Sequence, residues 1–123
     1  MIEHVRGDAP AGRNQSSAYR DLVWTVVTAS DESLDLAGQT RQALEQLEKN
    51  LLELGSDKTR MLSAQVFMAD IADKPVLDGV WNDWIGEDPA HWPQRACVGV
   101  DLGGNWLIEV VVTACRVVDR TST

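Results

Sequence analysis

Three side chains that could take part in chemistry fall close together near the C-terminal end of the sequence. Arg95 and Cys97 lie within Pro93-Gln94-Arg95-Ala96-Cys97-Val98, and Glu109 lies inside the apolar run Trp106-Leu107-Ile108-Glu109-Val110-Val111-Val112. A guanidinium can hold a carboxylate through two parallel hydrogen bonds, and a carboxylate can activate a water molecule. Because an acid in a strand built for burial is costly without a partner or a task, this segment is the candidate site.

Each of these residues also has a structural alternative. Arg95 could be an exposed charge at a strand edge, since most arginines are exposed. Cys97 is interpreted as a small side chain that lines the site without reacting, because no histidine lies near it in the sequence. Glu109 could form an ion pair with an arginine of the same or a neighbouring chain, or hold a hydrolytic water, or do both. Trp92, in the loop before Arg95, is predicted to lie at the rim of a cleft.

The composition suits a single folded domain, which we predict to span residues 1–123. The hydrophobic share of 44% is enough for a core without metal or disulfide, and the charged share of 24% is ordinary for a globular protein. The net charge of -8 and the scattered basic residues argue against a nucleic-acid surface. No apolar stretch approaches the ~18 residues of a membrane span, so no membrane partner is predicted.

The two cysteines and two histidines indicate neither a disulfide nor a metal site. The N-terminal residues 1–6 lack the apolar segment of a signal peptide, so we predict a cytoplasmic protein with free thiols at Cys97 and Cys115. His4 and His91 are far apart, and no Cys/His/Asp spacing is typical of a metal centre. There is also no phosphate-binding loop, and no cofactor is predicted.

The pattern of apolar residues predicts an α+β fold with the element order β-β-β-α-β-α-β-β. The predicted strands are Ile2–Arg6, Gln15–Tyr19, Leu22–Thr28, Thr59–Asp70, Arg95–Leu102 and Trp106–Val118, and the helices are Ser33–Leu54 and one that opens at Asp73. We expect one sheet with two helices on one face. The other face is rich in Val and Trp, and a second copy of the chain is the simplest cover for it.

The two helices have recognisable ends and apolar stripes. Ser33 or Asp31 is predicted to cap the first helix, and Gly55 to end it. Asp73 is predicted to cap the second helix, with Pro75 in its first turn. The second helix has the apolar stripe Val76, Leu77, Val80, Trp81 and Trp84. The strand between the helices should have one apolar face, made by Leu62, Ala64, Val66 and Met68.

The last two strands are predicted to form a hairpin around Gly103-Gly104. A two-residue turn there would set Glu109 opposite Val98, on the other face of the sheet from Arg95 and Cys97. A loop of three or five residues would shift the register by one. We therefore predict an odd-length loop if Arg95 and Glu109 serve one site.

Several segments together resemble the Rid (YjgF) family, whose members are also labelled L-PSP endoribonuclease and translation initiation inhibitor. These segments are Gln39–Leu44, Leu62–Asp70, Val80–Trp84, Pro93–Val98 and Ile108–Val110, and the resemblance covers about Ile2 to Val117. It implies a chorismate-mutase-like fold and a homotrimer with three clefts between subunits. For the catalytic branch, it implies a deaminase, a hydrolase of reactive enamines and imines that releases ammonia and a 2-keto acid.

The resemblance also implies roles for individual residues. Arg95 would clamp the substrate carboxylate, Cys97 would line the cleft, and Glu109 would position or activate water. Two segments depart from the catalytic branch. Gly12-Arg13-Asn14-Gln15 stands where that branch has Gly-Pro-Tyr-Ser, and Val26-Val27-Thr28 stands where it has Ser-Gly-Gln.

Three functions follow as hypotheses. The first is hydrolytic deamination of a small imine or enamine that carries a carboxylate. The second is a trimeric binding protein for small carboxylate metabolites without turnover, which the missing tyrosine and serine favour. The third is the ribonuclease or translation-inhibitor activity of the family label, which the net charge of -8 argues against.

Overall fold

Six strands form one mixed sheet, and two α-helices cover one of its faces. The structure is a computed structural model that describes residues 1–118; residues 119–123 of the predicted domain lie outside this range. The elements are β1 (Glu3–Val5), β2 (Ser16–Tyr19), β3 (Leu22–Thr28), α1 (Leu36–Glu53), β4 (Met61–Met68), α2 (Lys74–Ile85), β5 (Gln94–Gly99) and β6 (Ile108–Cys115). The predicted α+β class and element order are confirmed.

The strand order is β1-β2-β3-β6-β4-β5, so the predicted hairpin between the last two strands is wrong. β4 pairs in parallel with β5 through the crossover of α2, and it pairs antiparallel with β6 on its other side. The Gly103-Gly104 pair lies in the connection 100–107, which passes from the edge of the sheet to its centre. The central position suits β6, because its alternate side chains from Ile108 to Ala114 are fully buried.

Helix α1 ends where the sequence predicts but begins later. Its cap is Asp35, whose carboxylate accepts a hydrogen bond from the Gly38 N–H at 2.8 Å. The predicted caps are wrong, because the Asp31 carboxylate accepts from the Ser33 N–H at 3.0 Å inside the preceding turn. Gly55 ends the helix as predicted, at a φ of +84° that favours glycine.

The apolar face of β4 is confirmed for three of its four predicted residues. Ala64, Val66 and Met68 are buried against the helices, but Leu62 is exposed. The register between β4 and β6 shifts between Met61 and Ser63, and this irregularity turns Leu62 away from the core.

Helix α2 packs on the same core through a slightly different stripe. Leu77 and Trp81 are buried as predicted, while Val76 is exposed and Ile85 completes the buried set. Asp73 holds the N-cap position with Pro75 in the first turn, but the Asp73 side chain makes no capping hydrogen bond. Among residues 1–118, no helix combines the length and apolar character needed to cross a membrane.

The second face of the sheet has no cover within the described chain. We call it the uncovered face, and it carries Trp24, Val26, Phe67, Val98 and Val111. Trp24, Val26 and Val98 are 38%, 45% and 47% exposed, which is high for large apolar side chains on a sheet. The sequence-based expectation of one covered and one uncovered face therefore agrees with the structure.

Candidate active site

The strand register places Arg95 and Glu109 on opposite faces of the sheet. Arg95 pairs with Ala64, whose side chain is buried under the helices, whereas Glu109 pairs with Phe67 on the uncovered face. Cys97 follows Arg95 by two residues and shares its face. The odd-length loop that would put Arg95 and Glu109 on one face is therefore wrong, and one chain does not bring these two residues together.

Glu109 lies at the wall of a cavity of about 780 Å³ beside the end of β3. We call this the Glu109 cavity; its other polar and aromatic walls include Asp8, Arg13, Asn14, Gln15, Asn50 and Trp106. β2 is shorter than β3 and its pairing stops at Ser16, which leaves the last residues of β3 open on this side. Within the described part of the chain, the half-buried Glu109 carboxylate has no hydrogen bond or ion pair.

A polar network extends from the wall of the cavity, which Asn50 and Gln46 line, into the core. The Asn50 amide donates to Thr25 Oγ1 at 3.0 Å and accepts from Gln46 Nε2 at 2.7 Å, and Thr25 shares a hydrogen bond with Ser16 Oγ at 2.8 Å. The sequence-based prediction missed these residues because it considered only the apolar side of α1. The signal was Asn50 itself, a polar residue on the stripe three residues after Leu47.

The rim of the cavity is the loop between β1 and β2. The Gln15 N–H donates to the Val5 carbonyl at 3.0 Å, and Arg6 Nη1 donates to the Arg13 carbonyl at 2.7 Å. These bonds place Arg13 and Asn14 at the cavity, in the segment where the sequence departs from the catalytic branch. Sequence reasoning noted the missing tyrosine there and assigned no role to Arg13.

The connection 100–107 is fixed to the start of α1 by one buried amide. Gln39 is fully buried, and its Nε2 donates to the carbonyls of Leu34 at 3.1 Å and Asn105 at 3.0 Å. Its Oε1 accepts from the Leu107 N–H at 2.9 Å. These hydrogen bonds hold Trp106, which lies between Asn105 and Leu107, at the wall of the Glu109 cavity.

Arg95 lies under α2 in an environment that already satisfies its charge. Its guanidinium forms an ion pair with Asp78 and lies 5.2 Å from the centre of the Trp81 ring. The hydrogen bond from Lys74, with a further contribution from Arg95, holds the pKa of the Asp78 carboxyl below its usual value of 3.8. The Arg95 side chain is only 17% exposed, so the alternative of a solvated edge charge does not apply.

Cys97 and Trp92 lie near Arg95 and away from the Glu109 cavity. Cys97 is half-buried against the core and free, and β4 separates its strand from that of Cys115. Trp92 is exposed, and its indole N–H donates to the Gly86 carbonyl at 2.9 Å. Within residues 1–118, no three His, Cys, Asp or Glu side chains are grouped so that they could hold a metal ion.

The described architecture is that of a small α+β protein with one helix-covered sheet and a carboxylate in a cavity beside β3. Residues 25–116 match the family model described as Endoribonuclease L-PSP. A RutC family protein of Haemophilus ducreyi is 37% identical over 86 residues, which cover 69% of this chain and 72% of that protein.

Solved structures agree with this match. NMB1025 of Neisseria meningitidis, a member of the YjgF protein family, has a TM-score of 0.85 and 26% identity over 96% of this chain and 97% of its own. An uncharacterized protein from Pseudomonas aeruginosa has the same TM-score of 0.85 and 29% identity over 95% of this chain and all of its own. The chain belongs to the YjgF/RutC (Rid, L-PSP) family. Membership supports a role in processing or binding small-molecule metabolites.

Proposed function

We propose that this protein hydrolyses small reactive enamines or imines that carry a carboxylate, and that the reaction takes place in the Glu109 cavity. The observation that carries the proposal is the Glu109 carboxylate, which is half-buried beside a cavity of about 780 Å³ and has no partner in the described chain. Burying such a group without a partner is costly, so its retention in an otherwise apolar strand supports a chemical role.

The reaction needs a positioned water and a group that moves protons. Glu109 would accept a proton from the water as the water oxygen bonds to the imine carbon. Glu109 would pass this proton to the nitrogen, which gives a carbinolamine. The hydroxyl proton of the carbinolamine would then move through Glu109 to the nitrogen as the carbon–oxygen double bond forms and the carbon–nitrogen bond breaks, so that ammonia and a 2-keto acid leave. An enamine would enter this sequence after gaining a proton at carbon and losing one from nitrogen, which converts it to the imine. The side chain of Trp106 offers an apolar wall for the rest of the substrate.

Arg95 can serve this cavity only if another copy of the chain supplies it, because within one chain it lies on the opposite face. We therefore propose a homotrimer with clefts between subunits, and the exposed apolar side chains of the uncovered face support such an assembly. Arg95 would then hold the substrate carboxylate, and Cys97 and Trp92 would line the cleft. For Arg95 to do so, its guanidinium would have to share or release Asp78.

Ammonia release from an imino acid generated in situ tests the reaction. Glu109→Gln keeps the size of the side chain and removes its basicity, so we expect turnover to fall by about 10²-fold or more. Glu45→Gln, on the exposed side of α1, is the matched control and should turn over like the wild type. A wild-type rate in Glu109→Gln would refute the role of Glu109.

The second candidate function is binding of a small carboxylate metabolite without turnover. The amide side chains of Asn14, Gln15 and Asn50 line the cavity, and this favours binding without turnover. Asn14 and Gln15 belong to the segment in which the catalytic branch has a tyrosine. Titration with a keto acid, followed by an ammonia assay with the corresponding imine, separates the two functions. Binding without ammonia release would support the binding protein.

A further inference from the structure

Asp78 is shared between two cations on the helix-covered side of the sheet. Its Oδ1 accepts a hydrogen bond from Arg95 Nη2, and its Oδ2 accepts one from Lys74 Nζ at 2.8 Å. Lys74 lies about one helical turn before Asp78 on α2, so the two side chains meet on the same side of the helix. The three groups carry two positive charges and one negative charge, which leaves one positive charge for an anionic ligand.

Arg95 keeps most of its hydrogen-bonding capacity in this arrangement. Asp78 engages Nη2, and the other N–H groups of the guanidinium bind no residue in the part of the chain that the structure describes. The guanidinium carbon lies over the Trp81 ring, 5.2 Å from its centre. A substrate carboxylate that binds the guanidinium through two parallel hydrogen bonds therefore competes with one carboxylate, that of Asp78.

Lys74 decides how strongly Asp78 competes for Arg95. With Lys74 present, Asp78 keeps a cationic partner when Arg95 turns to a ligand, so the carboxylate is not left unpaired. Without Lys74, Arg95 would be the sole cation bound to Asp78, and a ligand could take the guanidinium only by leaving that carboxylate without a partner. The Lys74 and Asp78 side chains are 43% and 32% exposed, so water weakens this coupling and its effect on affinity is moderate.

We propose that Lys74 is a positioning residue of the substrate site, which acts through Asp78 and keeps the Arg95 guanidinium available to the substrate carboxylate. The inference rests on the proposed function, in which Arg95 of a neighbouring copy holds that carboxylate. It adds two residues, Lys74 and Asp78, that set the affinity for anionic substrates without contacting them. The consequence is an effect on ligands that carry a carboxylate and none on neutral ligands of the same shape.

Calorimetric titration with pyruvate, a 2-keto acid of the kind that the proposed reaction releases, and with its neutral analogue pyruvamide tests the inference. We expect Lys74→Met to weaken pyruvate binding by about threefold to tenfold, because Asp78 then competes fully for Arg95, and to leave pyruvamide binding unchanged. Lys74→Arg keeps the positive charge and should bind pyruvate like the wild type. Lys49→Met removes an exposed charge of α1 and is the matched control, which should bind both ligands like the wild type.

A second substitution separates competition by Asp78 from a general loss of positive charge. Asp78→Asn removes the competing carboxylate, so the double variant Lys74→Met/Asp78→Asn should regain pyruvate affinity to within about twofold of the wild type. If Lys74 acted only through its own charge or by holding α2 in place, the second substitution would leave the affinity low, and the inference would be overturned.

The kinetic counterpart is a higher KM for the imino acid in Lys74→Met with kcat retained, in contrast to the lower kcat of Glu109→Gln. Pyruvate affinity and KM equal to the wild type in Lys74→Met overturn the inference and leave the proposed function intact. Loss of pyruvate binding in Arg95→Ala tests the anchor itself. A wild type that neither binds pyruvate nor releases ammonia from imino acids would overturn the proposed function, and the role of Lys74 would fall with it.

Discussion

Arg95 and Glu109 are the two charged side chains of the candidate segment, and they differ in whether the same chain provides a partner for their charge. Arg95 has a carboxylate partner in Asp78 and an aromatic neighbour in Trp81. Glu109 lies at a cavity wall and has neither kind of partner within residues 1–118. A charge that the fold satisfies contributes to stability, whereas a charge left unsatisfied beside open space is available to a ligand.

The two regions also differ in what builds them. The Arg95 region joins two neighbouring elements, the start of β5 and the middle of α2, through one ion pair. The Glu109 cavity collects residues from the loop before β2, the end of β3, α1, the connection 100–107 and β6. Such a convergence of distant segments is typical of ligand sites, while the local pair is typical of structural contacts.

The largest expected effect is on assembly, and it tests whether a single chain can bind the ligand. Trp24→Glu places a charge on the uncovered face and should reduce the proposed trimer to single chains, as measured by sedimentation equilibrium. Because the proposed anchor Arg95 comes from a neighbouring copy, we expect the dissociated protein to lose pyruvate binding. Leu52→Glu, which alters an exposed residue of α1, is the control and should leave the assembly unchanged.

Removal of the Arg95 charge should lower the stability of the folded protein. Arg95→Met keeps an apolar contact with Trp81 and removes the ion pair with Asp78, so we expect the free energy of unfolding to fall by about 1–2 kcal/mol. Urea unfolding measures this change, with Arg41→Met as the control for loss of an exposed arginine. Unchanged stability of Arg95→Met would show that the ion pair with Asp78 does not stabilise the fold.

The Asp78 carboxyl makes the stability of the Arg95 region depend on pH. Its pKa is lowered, first by the hydrogen bond from Lys74, so in the folded protein it stays ionised to a lower pH than in the unfolded chain. Its contribution is therefore complete above its usual pKa of 3.8 and is lost as the pH falls through the lower folded value. We expect the wild type to exceed Asp78→Asn by at most about 1 kcal/mol at neutral pH, and the difference to shrink on acidification.

The smallest expected effect is the stability change in Glu109→Gln. Glu109 has no partner to lose in the described chain, so the free energy of unfolding should stay within about 0.5 kcal/mol of the wild type. Thermal and urea unfolding of the variant used for the turnover assay provide this value. A large loss of stability would show that Glu109 is a structural residue like Arg95.

Local patterns in the sequence predicted the elements but not the pairing of the last two strands. The periodic leucines of α1, the glycine that ends it and the alternation in β4 are properties of neighbouring residues, and these predictions were right apart from helix caps and one bulge. The hairpin prediction failed because Gly103-Gly104 is a local turn signal, whereas the place of β6 between β3 and β4 depends on contacts between distant segments.

The same distinction applies to the candidate site. Glu109 could be singled out because an acid among Val and Ile residues is anomalous in sequence. Arg13 gave no such signal, since an arginine in a polar loop is ordinary, and only the folded chain places it at the cavity of Glu109. The pairing of Arg95 with Asp78 was equally hidden, because the two lie on a strand and a helix with no fixed spacing.

The buried Gln39 clamp has a consequence for the kinetics of binding. To swing the connection 100–107 away from the cavity, the chain would have to break the buried hydrogen bonds of Gln39 to Asn105 and Leu107 together. These bonds hold the backbone on both sides of Trp106 in place. Ligand association should follow a single step whose observed rate rises in proportion to ligand concentration, without the plateau that a slow opening step would impose.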